Sequence, residues 1–370
     1  MQKNKEKTMA HQLLDDTMFY VGETPWHNLG VPLDNPPTIE EAVILANLDW
    51  EVYKKPTYYF TGAEPRQSNN PYSLANFANL LYTKDMVETK HYVTIRDAFK
   101  SDDKLTTTYD GHKILGNVSK RYEVLQNRDA FTPFNVLLDH GYELETAGAV
   151  REGRMVWILA RKVDNELNKV GDDNVERYVV LMNSHDGSTP VFMQPTTIRV
   201  VCANTLDYAL SKESPLRFSI KHTANVKERL EEVTSALSFA EGNWRKAHEI
   251  MNRMVEHHMN FQQVKLYFEA VIPFLKHRGK SGKDELGVAR RDIATPVFSQ
   301  LMNNFAGGHG NKGETVWDAY NAITQYYDHQ KNYKDWVWST QFGKPAQYKR
   351  RAFLYATKIV ENTSETFAAA

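Results

Sequence analysis

Six consecutive residues, Asn183-Ser184-His185-Asp186-Gly187-Ser188, gather amide, hydroxyl, imidazole and carboxylate groups between two apolar runs. Such groups serve acyl-transfer catalysis, a phosphate-contacting loop or an ordinary strand connection. Adjacency counts against the first, because the members of a Ser-His-Asp triad converge from separate elements. An extended segment also turns His185 away from Ser184 and Asp186, and no G-x-S-x-G elbow stands nearby. Asn, Asp and Gly satisfy turn geometry by themselves. A hairpin connection and a ligand-binding loop formed by Asn183, Ser184, His185 and Asp186 are therefore the two open readings, and no catalytic residue is assigned.

Arg199 lies inside the second apolar run, with Asn204 shortly after it. A charge there must be paired or must face a groove, so an internal ion pair and a phosphate contact are equal alternatives; Asn204 joins the ligand-binding candidates. Ser119-Lys120-Arg121-Tyr122 sets two cations beside an aromatic ring, and Arg151 and Arg154 flank a turn. A sheet surface of that kind can track a phosphate backbone and stack a base, and a solvated strand face is the competing reading. Lys120, Arg121, Tyr122, Arg151, Arg154 and Arg199 are thus the candidate nucleic-acid residues. Cys202, the single cysteine, leaves no internal disulfide framework or thiolate zinc site and reads as a small buried hydrophobe. His257 and His258 lack the i, i+4 spacing of a helical metal pair. Gly282-Lys283 is followed by Asp284, not by Ser or Thr, and fails as a phosphate loop. No metal and no cofactor is expected.

The elements around these residues divide the chain. Tyr142–Val150 and Met155–Val163 read as strands joined by a tight turn, Leu115–Leu125 as a longer strand, and Trp50–Phe60 as a strand with Pro56 at an edge or bulge. Thr38 and Glu41 have capping-box spacing. Asn127 to Asp139 reads as a helix stopped by Gly141. Residues 1–37 read as an extended arm held by Phe19, Tyr20 and Trp26. After Thr223, Val226, Leu230, Val233, Leu237, Ala240, Trp244, Ala247, Met251 and Met254 form an apolar seam of about 3.5-residue period. That seam predicts one long helix packed on a partner helix, in the same chain or in another subunit. The expected fold is α+β: a mostly antiparallel β-sheet core with packed helices (38–222), then a helical C-terminal region (223–370).

A net charge of −1 gives no global basic field, so a nucleic-acid role needs a local patch. No run approaches the length of a membrane span, and the first residues lack the apolar core of a signal peptide. A cytoplasmic protein with no membrane partner is expected.

Five segments in order, GNVSKRYEVLQNRDAF (116–131), ELETAGAVREGRMVWILAR (143–161), VGDDNVERYVVLMNSHDGS (170–188), TTIRVVCANTL (196–206) and ETVWDAYNAITQYYDH (314–329), together resemble the phage/plasmid-like protein family carrying domain of unknown function 932. Asp318 departs from it where a small residue is expected. The resemblance implies an origin in phages, prophages or plasmids, and so a bacterial host cell, but brings no agreed activity. Two expectations follow. One is a single-stranded DNA-binding or annealing protein of replication and recombination, working as a homo-oligomer. The alternative is a host-takeover or counter-defence protein that binds a host protein or small ligand through residues 183–206. A hydrolytic enzyme would need Glu143, Glu145, Asp172, Asp173 and Asp186 to converge, which the sequence does not establish.

Overall fold

The computed structural model describes residues 13–22, 30–60, 86–99, 108–109, 111–163, 168–199, 204–206, 218–237, 241–277, 290–329 and 343–361. Its larger sheet has the order β12 (Asn204–Leu206), β11 (Val191–Arg199), β10 (Asp173–Ser184), β8 (Met155–Lys162), β7 (Tyr142–Val150), β1 (Leu13–Val21) and β2 (Val31–Leu33); β9 (Lys169–Val170) adds to β10 and β13 (Phe218–Ile220) to β11. All pairs are antiparallel except β1 with β2. A smaller antiparallel sheet has the order β3 (Tyr53–Phe60), β4 (Met86–Asp97), β6 (His112–Ser119) and β5 (Thr108–Tyr109).

Strands β8 and β10 are apolar on both sides because both sides are covered. Val156, Ile158, Ala160, Val179 and Leu181 enter the main core beneath the helices. Met155, Trp157, Val180 and Met182 join Met18, Tyr20 and Val150 in a second cluster on the opposite face. Residues 13–21 therefore correct the expectation of an arm: they form a strand between β2 and β7, and Phe19 is fully buried. The glycines and prolines around them mark the ends of a short strand. Trp26 lies outside the described residues.

Helix α1 (Ile39–Leu45) carries the expected capping box of Thr38 and Glu41. Pro56 sits on edge strand β3 beside a register shift, where its missing N–H costs no ladder bond. The helix expected over 127–139 is two, α2 (Asn127–Phe131) and α3 (Phe134–Asp139), since Pro133 cannot continue the hydrogen-bond ladder of the first. Seam residues Val226, Leu230, Val233, Trp244, Ala247, Met251 and Met254 are buried in the main core on α4 (Val226–Leu237) and α5 (Glu241–Glu256). Leu237 ends the first of these helices and Ala240 lies outside the described residues. The indole Nε1 of Trp244 donates to the Tyr142 hydroxyl at 3.0 Å. The seam thus packs within the chain and no longer argues for a second subunit.

Helices α6 (Phe261–Val271), α7 (Arg290–Gly307), α8 (Val316–His329) and α9 (Lys344–Glu361) complete the helical layer. Every residue from Val316 to Asp328 is buried, so α8 is its central helix. Asp318 fits there by capping. Its carboxylate accepts from the backbone N–H of Glu314 at 3.0 Å and of Thr315 at 3.1 Å, while Thr315 Oγ1 accepts from the Asp318 N–H at 3.2 Å. These bonds satisfy donors that a helix start leaves open. Lys349, one of three consecutive cations with Arg350 and Arg351, is fully buried on α9, with Nζ 2.8 Å from Asp328 Oδ1. Removing one partner of a buried pair strands the other charge, at about 3–5 kcal/mol. Lys349→Met should lower the urea-derived stability by that amount, and Lys349→Met with Asp328→Leu should recover most of it.

Candidate functional site

Strand β10 runs into the Asn183–Ser188 loop where the smaller sheet packs on the end of the larger one. Asn183, Ser184 and His185 are fully buried, so each polar group needs a partner inside the protein. Asn183 Nδ2 donates to the Leu125 carbonyl at 3.0 Å, and Ser184 Oγ to that of Thr189 at 2.9 Å. The His185 N–H donates to the Arg154 carbonyl at 2.7 Å, and Thr94 Oγ1 donates to the His185 carbonyl at 2.5 Å. His185 Nε2 is 2.7 Å from Asn127 Oδ1, and Asn127 Nδ2 donates to the Leu48 carbonyl. Because the Asn127 nitrogen is engaged, its oxygen must accept, which fixes the His185 proton on Nε2. Burial, reinforced by His222 and Arg96, pushes the imidazole down to about 3. Asp186 Oδ1 accepts from the Ser188 N–H at 2.8 Å, closing a turn.

The smaller sheet approaches this loop through Gly116. A Cβ there would stand 2.5 Å from the Asp186 Cα, so any side chain would drive the sheets apart. The turn between β7 and β8 supplies the other clamp. Arg151, Glu152 and Gly153 all adopt positive φ (54°, 61° and 87°), a conformation disfavoured for side chains with a Cβ. Glu152 receives fully buried Lys113 at 2.9 Å and Arg154 at 3.6 Å. Arg96 donates to the Glu152 carbonyl at 2.8 Å. Arg154 and its turn accordingly serve the junction between the sheets.

The strand expected through Leu125 stops at Ser119, and Lys120 and Arg121 occupy an exposed turn closed by the Tyr122 N–H on the Ser119 carbonyl at 3.1 Å. Tyr122 is 6% exposed; its hydroxyl donates to the Ser184 carbonyl at 2.8 Å and its ring stacks on His222 at 4.6 Å. It forms a wall of the site and does not stand out from the sheet as an open platform. Beside it lies a cleft of about 730 Å³ lined by Arg121, Ser188, Lys221, His222, Thr223 and Arg229, among others. No aspartate or glutamate is among its described lining residues. Arg121, Lys221 and Arg229 are exposed, and none is ion-paired among the described residues.

The structure thus brings Arg121 and Tyr122 together with the 183–188 loop and leaves other candidates apart. Lys120 offers its carbonyl to Lys54. Arg199 pairs with Val175 and Asn204 at the far end of β11, roughly 26 Å along the strand from Val191 at ~3.3 Å per residue. The side chains of Arg199 and Asn204 lie outside what is described. The carboxylates are also dispersed. Glu145 pairs with Arg161 at 3.3 Å and is held up at about 7 by burial, Asp172 pairs with Lys312, and Asp173 accepts from the Trp317 indole. Among the described residues no group of three or more His, Cys, Asp or Glu side chains is placed to hold a metal ion. Sequence reasoning missed Lys221, His222 and Arg229. They meet Tyr122 through long-range contacts, the ring stack of Tyr122 on His222 and the bond between Glu123 and His222, 99 residues apart, for which no local pattern exists.

A family model described as "Domain of unknown function (DUF932)" matches residues 114–354, which include the cleft. No curated protein and no solved structure matches the chain. Among the described residues no helix is long and apolar enough to cross a membrane.

The protonation of His185 gives a stability test. In the unfolded chain an imidazole titrates near its ordinary 6.5, whereas in the fold it stays neutral down to about 3. Between those values the unfolded state binds the extra proton, so stability is lost as pH falls, by about 1.4 kcal/mol per pH unit for this group. Urea unfolding between about pH 6 and pH 4 should show a clearly shallower loss in His185→Gln than in the wild type. Equal slopes would mean that His185 is not held neutral.

Proposed function

The chain belongs to the DUF932 family, and we propose that it binds single-stranded DNA without breaking bonds, with the strand lying in the junction cleft. One observation carries this reading: three exposed cations, unpaired among the described residues, line a cleft with no carboxylate among its described lining residues, in a chain of net charge −1. Basic groups scattered to balance acids would not leave such a patch. A positively lined groove that follows a backbone is the usual device for single strands. A setting in replication or recombination of phages or plasmids belongs to the same proposal. Docking of a host protein through residues 183–206 is the weaker reading, because Asn183, Ser184 and His185 face inward and Arg199 and Asn204 lie at the opposite end of the strand.

The charge count sets the expected salt dependence. If Arg121, Lys221 and Arg229 each neutralise one phosphate, log K against log salt should have a slope of about −2, at ~0.7 per contact for a single strand. Fluorescence anisotropy should show tighter binding of a single strand than of a duplex. Arg121→Ala, Lys221→Ala and Arg229→Ala should each flatten the slope by about 0.7, while Lys120→Ala should not. No binding at low salt, or slopes indifferent to the three substitutions, would remove the cleft from this role.

A further inference from the structure

We infer that the cleft recognises the base of a bound nucleotide, with a base N–H donating a hydrogen bond to Nε2 of His222. The inference rests on the reading of the cleft as a single-strand site and specifies how a nucleotide is held there. His222 is 7% exposed and lines the cleft against Tyr122. Its Nδ1 lies 3.1 Å from the Glu123 carbonyl, and the Glu123 N–H donates back to the His222 carbonyl at 3.1 Å. A carbonyl only accepts, so Nδ1 carries the proton of the neutral ring and Nε2 is left with a bare lone pair. Among the described residues nothing donates to that buried Nε2. A buried acceptor without a donor is unfavourable, and a ligand bearing a donor would relieve it.

The chemistry of the strand narrows the donor. Phosphodiester groups offer acceptors alone, which suits Arg121, Lys221 and Arg229 but not Nε2. Deoxyribose inside a DNA strand has no free hydroxyl. Only the base carries N–H groups, and about 730 Å³ falls in the volume range of small-molecule pockets.

A proton competes with the base for the same lone pair. The ionisable and charged groups around the ring are Asp186 on the loop, buried His185, Tyr122, which burial holds neutral, and the cations Arg121, Lys221 and Arg229. Burial holds His222 below its ordinary 6.5. The base-dependent part of the affinity is therefore complete above that range and is lost as pH falls through the His222 titration. Over the same interval the imidazolium adds a cation beside the phosphates.

The test compares a short oligothymidylate with an abasic deoxyribose-phosphate oligomer of equal length by fluorescence anisotropy. The wild type should prefer the oligothymidylate by roughly three- to tenfold, the worth of one hydrogen bond. His222→Phe, which keeps a ring against Tyr122, should bind the two alike. Should that variant not fold, the wild type alone suffices: lowering the pH through the His222 titration, followed in parallel by NMR of its imidazole, should erase the preference while tightening abasic binding. A preference unchanged both by His222→Phe and by pH overturns the base contact and leaves strand binding standing. Failure of both oligomers to bind the wild type at low salt overturns the strand reading itself.

Discussion

Burying the polar stretch Asn183-Ser184-His185 where two sheets meet obliges the chain to answer its donors and acceptors from within, and the surrounding fold answers most of them, leaving the Asn183 Oδ1 and His185 Nδ1 atoms without a hydrogen-bond partner among the described residues. Leu125 and Asn127 come from the segment after β6, Thr94 from β4, Arg154 from the β7–β8 turn and Thr189 from the loop itself. An unanswered buried amide or imidazole costs about 1–3 kcal/mol. The junction therefore depends on close fits: Gly116 must allow the close approach, and the turn carrying Glu152 must accept positive φ to meet Lys113. A loop that looks chemically versatile in sequence is in this way committed to holding two sheets together.

The candidate site is a by-product of that commitment. Once Tyr122 is drawn inward to the Ser184 carbonyl, Lys120 and Arg121 are pushed into an exposed turn. The end of β13 then brings Lys221 and His222 alongside, and the first turns of α4 add Arg229. Several carboxylates have partners of their own: Glu123 faces Lys54, Glu152 holds Lys113, and Asp129 holds Lys227. A nearly neutral protein thereby carries a local positive cleft. Its field reaches about a Debye length, roughly 8 Å at physiological salt, enough for one stretch of backbone but too short to gather a polyanion from a distance.

Much of the local structure is legible in the residues. Thr38 and Glu41 announce a helix start, Pro56 an edge strand with a bulge, Gly141 a helix stop, and the two runs around Arg151–Arg154 a hairpin, because each depends on neighbours in sequence. What depends on long-range packing is not legible. Strand β1 is hidden among glycines and prolines, since its partner β7 is supplied by a distant segment. Lys113 and Lys349 look like surface charges until Glu152 and Asp328 arrive from afar. Asp318 looks out of place until its bonds to the start of α8 are seen. For the site, the sequence offers Arg121 and Tyr122 but inverts the role of the ring, and nothing near Lys221, His222 or Arg229 announces them.

The central claim is a location, so the most direct measurement is one of place. A single strand carrying photoreactive thiothymidine, bound to the full chain and irradiated, can be mapped by mass spectrometry of the crosslinked peptides. The account predicts crosslinks within residues 117–123, 187–190 and 219–229, the three segments that line the cleft. Crosslinks confined to other surfaces, such as the exposed tyrosines of β3 or the helices α6 to α9, with none in those segments, would contradict it.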